Sequence, residues 1–284
     1  MPKKATSAME FTFLENGTYE LNKYKGEEKI LTIPAEHGGI PVTRIGKDAF
    51  CNCKTLASVI VPEGITAIGG NAFRNCSSLA SISLPKGLET LYAHVFYGCA
   101  SLTSIAIPES VSSIGMCVFE GCRSLVSVVI PEGVRYVNEY LFKDCSSLTS
   151  AVIPKSVVEI CHNAFDGCSS LASLSIPEGV RSIAFSAFSS CSSLSSLVIP
   201  EGVESIGNYA FCNCHSLAKL YLPSTLSRIH PNAFSACESL TAIHYAGTVA
   251  QFEALQVCSH GSGIKGGITV VCSNGTIENC CFAV

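Results

Sequence analysis

Apolar positions between residues 34 and 245 obey one rule, and the polar positions fill whatever that rule leaves. In residues 171–193 the apolar side chains come as Leu171, Leu174 and Ile176, then Val180 and Ile183, then Ala187, Phe188 and Cys191. The alternation of Leu174 and Ile176 is that of a short strand with one face turned inward. Pro177 ends it, because proline has no N–H to give a ladder. Val180 and Ile183 supply a second inward pair, and Ala187, Phe188 and Cys191 close the far side of the coil. The residues between them are mostly serine, with Glu178-Gly179 after the proline, types that suit turns and solvent.

The same set returns every 23 residues. Phenylalanine recurs at Phe50, Phe73, Phe96, Phe119, Phe142, Phe165, Phe188, Phe211 and Phe234. Cysteine follows three residues later at Cys53, Cys76, Cys99, Cys122, Cys145, Cys168, Cys191, Cys214 and Cys237, and a leucine three residues after that, from Leu56 to Leu240. A fixed period between about 20 and 29 residues that carries L-x-x-L-x-L marks a leucine-rich-repeat solenoid, whose single coil cannot bury its apolar side until neighbours stack on it. The predicted architecture is right-handed, with short parallel strands on one face and irregular coils on the other. Its spine is the stacked Phe and Cys columns, Phe73 to Phe211 and Cys76 to Cys191 in the central coils. Glu-Gly after the proline (Glu63-Gly64, Glu132-Gly133, Glu178-Gly179, Glu201-Gly202) predicts a turn with positive φ, although Ser110 and Ser156 replace the glycine in two coils.

A solenoid exposes raw ends, and both ends depart from the repeat. Phe11 and Phe13 alternate, Asn16-Gly17 is a hairpin turn, and Tyr19 and Leu21 continue on the return, so residues 1–33 read as a tail and a β-hairpin cap. Residues 34–245 hold the nine repeats, with residues 35–41 as a short insertion. Residues 246–284 read as a second cap: a helix over 249–255, a strand over 268–272, an Asn274-Gly275 turn, and a tail in which Cys280 and Cys281 are expected to be disordered. Together these make one continuous domain.

The motif I-P-E-G-V-x-x-I-x-x-x-A-F-x-x-C-x-S-L resembles the BspA-type leucine-rich repeats over nearly the whole chain. The resemblance implies adhesion or protein binding, often on a cell surface. The departures are local: Val95, Val118 and Leu141 stand for the Ala before Phe, and Asn138, Cys161 and Ala184 stand where Gly69, Gly115 and Gly207 do. They read as repacking.

Composition narrows the function further. A net charge of −4 with 14% charged residues gives no basic footprint, which disfavours nucleic acid as a partner. Proline, glycine or serine interrupts every apolar stretch before it reaches membrane-spanning length, so no membrane span is expected. Lys3 and Lys4 have no apolar segment behind them, so no secretory leader is expected in these residues, which favours a cytoplasmic setting; the family resemblance favours the cell surface or secretion. Nine of the 17 cysteines share one inward position, where a free thiol acts as a small hydrophobe, and are expected to stay reduced.

Candidate chemistry is sparse. Cys51-Asn52-Cys53 and Cys212-Asn213-Cys214-His215 lie seven coils apart, about 34 Å at strand spacing, too far to share a zinc ion. Cys258, His260, Cys272, Cys280 and Cys281 could gather around a metal or pair as disulfides. Neither a metal nor a cofactor is predicted. The seven histidines fall on different coils or caps and no nucleophile-base or phosphate-binding motif occurs, which disfavours an enzyme.

The outward strand column reads Ile60, Ser83, Ala106, Val129, Val152, Ser175, Val198, Tyr221, His244, beside a serine column that changes to Lys219. Such residues suit any strand. They also form an apolar strip with an amphipathic corner at Lys219, Tyr221 and His244, the kind of surface that interface cores favour. Val129, Val152, Ser175, Val198, Lys219, Tyr221 and His244 are therefore the predicted ligand-binding residues. The predicted function is a non-catalytic binding module for a protein or glycan, adhesin-like, with an intracellular interaction scaffold as the alternative and a monomer as the default state. An edge stripe of Glu63, Lys86, Glu109, Glu132, Lys155, Glu178 and Glu201 predicts weak charge pairing from coil to coil.

Overall fold

The computed structural model describes residues 7–230, 232–255, 258–259 and 267–282, with side chains over 7–230, 232–255 and 267–280. The chain is a β-solenoid of stacked coils, with one short helix among the described residues, Val249–Ala254. One parallel ladder follows the L-x-L strands. Its rungs are Ile30–Thr32, Ser58–Ile60 and Ser81–Ser83, then Ser127–Val129 and Ser150–Val152, then Ser196–Val198, Lys219–Leu222, Ala242–Tyr245 and Ile268–Cys272. Partners in this register are 23 residues apart through the repeats, so like side chains stack in columns.

The side expected to be irregular holds a second parallel ladder. Its rungs are two residues long through the repeats, from Ala67–Ile68 to Arg228–Ile229, and each brings in the second inward residue of its coil. This ladder breaks between Ser113–Ile114 and Tyr136–Val137, at the coil that carries Asn138. Where a glycine stands in that column the coils touch: a Cβ on Gly69 would lie 2.6 Å from Lys47 N, and one on Gly115 2.5 Å from Ala93 N. Gly69 and Gly115 give their N–H to the inward residue of the preceding coil. At Asn138 the side-chain amide takes over that role, its Nδ2 donating to Ile114 O at 2.7 Å.

The phenylalanine edge is bonded as thoroughly as the ladders. Alternate N–H groups, such as those of Asp48, Phe50 and Asn52, donate to Gly70 O, Ala72 O and Arg74 O of the next coil. The pattern repeats with every donor aimed the same way along the stack, as in Tyr140, Phe142 and Asp144 to His162, Ala164 and Asp166. Such aim requires left-handed residues four apart on either side of Phe, for example Asn71 at φ 58° and Asn75 at φ 57°, or His94 at 60° and Gly98 at 69°. Asn, Asp and Gly fill most of the second of these columns because they tolerate that region best.

Inside this edge the rings of Phe50 to Phe234 are fully buried and stack with centroids 4.8 to 5.7 Å apart. The cysteine column does more than fill space. Each Sγ from Cys76 to Cys237 donates to the carbonyl of the preceding coil's phenylalanine, Cys76 to Phe50 O at 3.1 Å and Cys145 to Phe119 O at 3.1 Å. That oxygen already accepts an N–H within its own coil, so the thiol occupies its remaining lone pair. All nine column thiols are free.

The caps cover the ends. Met9–Phe13 and Tyr19–Tyr24 form the hairpin, whose second strand runs parallel to Ile40–Ile45 and starts the second ladder. Tyr24 meets Phe50 at 5.3 Å and begins the aromatic stack. At the other end Thr248 caps the helix in a reciprocal capping box with Gln251, and Phe252 is buried against Tyr245. The expected disordered tail is instead a strand, Gly275–Phe282, folded back at the Asn274-Gly275 turn onto Ile268–Cys272. It covers the last parallel edge and buries Cys280, which is disulfide-bonded.

Two smaller expectations also change. Gly64 and Gly202 have positive φ, but Gly133 and Gly179 do not. Gly179 is there because the preceding coil is close, its Cβ position lying 2.7 Å from Lys155 O. The edge-stripe charges form none of the ion pairs within 4 Å among the described residues. Glu63 and Glu201 bend to the next turn instead and accept N–H from Lys86 and Ser224.

Three outcomes follow from this packing. Phe142→Ala opens a cavity in a stack that cannot collapse coil by coil, and urea melts should show a loss of about 3–5 kcal/mol. Ala236, at φ 57° where Gly98, Gly121 and Gly167 stand in other coils, should gain about 1 kcal/mol in the same melts when replaced by glycine. Burial pushes the thiols of Cys99, Cys122, Cys145, Cys168 and Cys191 well above the ordinary value of 9.0. The folded state therefore keeps protons that the unfolded chain gives up above pH 9. Stability should hold below that pH and fall above it, by about 1.4 kcal/mol per pH unit for each such thiol. The double variant Cys145→Ala/Cys168→Ala should flatten the slope by about 2.7 kcal/mol per pH unit.

Candidate functional site

The parallel register fixes which side chains share the outward face of the strand ladder. Val129 stands beside Val152, and Val198, Tyr221, His244 and Val271 form one unbroken column. The valines are as open as side chains on a formed sheet become, 54% at Val129, 55% at Val152 and 62% at Val198. Lys219 is exposed one column away, between Ser196 and Ala242. Ser175 is exposed too, but residues 173–175 pair with neither neighbouring rung. The break coincides with Ala151, a small residue in an inward column otherwise filled by Val, Ile or Leu, and with Leu174, which is only half buried. A cleft of about 680 Å³ opens there between Ile153, Lys155, Ser175 and Glu178. The predicted residues thus divide into a central pair, a break at Ser175 and a C-terminal group.

The C-terminal group has the more developed geometry. Tyr221 and His244 stack at 4.7 Å between centroids with planes 12° apart. They floor a cleft of about 460 Å³ that also takes in Val198, Val271, Pro200, Pro223 and Glu201. Its walls are mostly apolar. The Glu201 carboxylate is held at the rim, Oε1 accepting the N–H of Ser224 at 3.1 Å while the Ser224 hydroxyl lies 3.3 Å from Oε2. The last coils end their strands in Tyr245-Ala246 and Cys272-Ser273 instead of a hydrophobe and proline, and these residues line the same cleft. Burial raises the Cys272 thiol and the Tyr245 phenol above their ordinary values, so both are neutral at physiological pH.

A second surface escaped the sequence reading. Tyr92, Met116, Tyr136, Tyr140, Phe185 and Tyr209 are exposed on and beside the second ladder. Phe185 meets His162 and Tyr209 edge to face, and a cleft of about 410 Å³ runs past them to Asn208, Arg228 and His230. The signal was the aromatic and His content of the positions just before Ala-Phe. It goes unnoticed when only the L-x-L strand is read as a surface.

Among the described residues no three His, Cys, Asp or Glu side chains lie together as a metal-holding group, and no helix is long and apolar enough to cross a membrane. Of the tail residues considered for a metal site, Cys272 is a free thiol and Cys280 is in a disulfide. His260 and the side chains of Cys258 and Cys281 lie outside the described residues.

Three solved structures share this architecture. The leucine-rich repeat protein of T. pallidum is 31% identical with a TM-score of 0.63, over 68% of this chain and 90% of that one. A leucine-rich repeat protein from Bacteroides ovatus is 25% identical with a TM-score of 0.70, over 84% and 70%. A leucine rich cell surface protein from Faecalibacterium prausnitzii is 26% identical with a TM-score of 0.53, over 89% and 97%. No curated protein matches the chain. Six copies of the BspA type leucine rich repeat region match over residues 43–172 and 158–283, and the chain belongs to that family.

Proposed function

We propose that the protein is a non-catalytic binding module that docks a protein or glycan partner through the outward face of its strand ladder, in an adhesin-like role. The observation that carries this reading is the column Val198, Tyr221, His244 and Val271, which lays open apolar and aromatic side chains on a rigid sheet and continues into a cleft. Tyrosine and apolar side chains in a pocket, ringed by serine and glutamate, are what interface centres are made of. The membership in a family of repeat proteins and the name of the F. prausnitzii relative, a cell surface protein, support the same reading. The disulfide at Cys280 favours an oxidising setting, since such bonds persist outside the cytosol. The reduced thiol column favours the alternative, an intracellular scaffold that uses the same face.

A paired capture experiment separates these. Wild type, a ladder-face variant (Val152→Glu/Val198→Glu/Tyr221→Ala) and a second-ladder variant (Phe185→Ala/Tyr209→Ala) are each offered a cell-surface and matrix extract and, separately, the soluble lysate of the producing cell. Capture from the first pool should be lost in the ladder-face variant alone. Loss confined to the lysate makes the protein an internal scaffold, and loss only in the second-ladder variant moves the site to the other face.

A further inference from the structure

We propose that Cys51 and Cys53 are a redox-active pair that closes a reversible disulfide by exchange with a small disulfide such as oxidised glutathione. From Cys76 onward every column thiol is committed: it is buried, and it donates to the phenylalanine carbonyl 26 residues before it. Cys53 opens the column and has no such acceptor. The residue 26 positions back is Glu27, exposed on the link between Tyr19–Tyr24 and Ile30–Thr32. Cys53 donates to no carbonyl among the described residues, and it is the half-buried member of a column that is otherwise buried.

The second thiol comes from the same turn. The Cys53 N–H donates to Phe50 O at 3.1 Å, and Asn52 between the cysteines has φ 64°. Cα atoms two residues apart lie about 6.6 Å apart even in a strand and closer in a turn, inside the range of about 4.4–6.8 Å that a disulfide spans. Cys51 is free and half-buried, and Asn52 Nδ2 donates to its sulfur at 3.3 Å. Lys23 lies over the turn, its Nζ donating to Asp48 O at 3.4 Å. Burial lifts the Cys53 thiol above its ordinary value, the Lys23 ammonium pulls it back, and Cys51 is close enough to oppose its ionisation. A partly exposed thiol beside a lysine, with a second thiol next to it, is the setting in which exchange runs.

The chain carries its own contrast in Cys212-Asn213-Cys214, which repeats the tripeptide. There the second cysteine is fully buried and donates to Phe188 O at 3.2 Å, and a hydrogen bond with Cys237 together with burial holds its thiol well above the ordinary value. Closing a ring at that site would break a bond of the stack, and closing one at Cys51 and Cys53 breaks none. In the exchange, the Cys51 thiolate attacks one sulfur of the small disulfide and displaces the other half as a thiolate. The Cys53 thiolate then attacks the Cys51 sulfur of the mixed disulfide and displaces the second half. The two protons given up by the cysteines end on the two released thiols, and the two electrons that reduce the small disulfide come from the pair.

The test uses the intact chain in mixtures of reduced and oxidised glutathione, quenched with acid, alkylated after unfolding and mapped by mass spectrometry. Trypsin cuts after Lys47 and Lys54, so both thiols fall in one peptide, Asp48–Lys54. That peptide should lose two hydrogens and escape alkylation at least about tenfold faster than the Cys212–Cys214 peptide, and excess reduced glutathione should restore it. In urea the two motifs should close at similar rates, because the fold no longer separates them. Cys51→Ser, which places in this column the residue found at Ser189 and Ser235, should stop closure and leave Cys53 as a mixed disulfide with glutathione. Full alkylation of both Cys51 and Cys53 throughout, equal closure of the two motifs in the folded chain, or a preference that persists in urea overturns the assignment.

Discussion

A backbone carbonyl buried at the centre of a stack has two lone pairs and no water to satisfy them. In this solenoid that carbonyl belongs to phenylalanine, and it is bonded twice, by the N–H of its own cysteine and by the thiol of the next one. The second bond is possible only if the next coil repeats the first at one strand spacing. Ring stacking, alternating N–H donors and both parallel ladders then follow with the same translation. The cysteine is small enough for the space between phenyl rings and is a donor besides, a pairing that alanine does not supply. This explains in physical terms why the Phe-to-Cys spacing never slips.

The same constraint sets what the surface can be. Because like positions stack, any outward residue type becomes a column, and a column of one type is a uniform strip with no address on it. A site requires the columns to change. Ser-Val in the central coils gives way to Lys219 and Tyr221, then to Ala242 and His244, while the proline column ends at Pro223. Each change is confined to exposed or rim positions, so the inward columns through Leu220 and Ile243 remain buried. Departures from the repeat that face solvent are thus the places where this architecture can carry specificity, and departures that face inward, like Asn138, register as local adjustments of the stack.

That division also explains what could be read from sequence. The L-x-L strands, the Phe and Cys columns and the N-terminal hairpin were legible because each has a short-range signature: alternation, a fixed period, a hairpin turn. The Cys280 strand was not, since what orders it is the open edge of Ile268–Cys272, a tertiary partner no local pattern announces. The second ladder was half legible. Val180 and Ile183 were visible as inward residues, but a two-residue rung is too short to alternate, and its exposed neighbours were overlooked with it. Tyr221 and His244 stood out as aromatic exceptions in a bland column, and the structure stacks them. Ser175 was carried by its column alone, and there the ladder is broken.

The cleft itself arises from the way the solenoid ends. A proline after each strand turns the chain sharply toward the second ladder, and stacked prolines make a continuous shoulder along the sheet. After Pro223 the shoulder stops: Ala246 and Ser273 are smaller, the chain goes into the capping helix, and Tyr245 and Cys272 take the inward place of Ile199 and Leu222. The sheet nevertheless continues for two more rungs, Ala242–Tyr245 and Ile268–Cys272, so its outward side chains stand beside a recess where the shoulder would have been. A terminal cap is needed to keep water and other chains off the last coil. Building that cap without proline leaves a concavity at the point where the face changes from uniform to particular, so one structural requirement supplies both the closure of the stack and the shape of the candidate site.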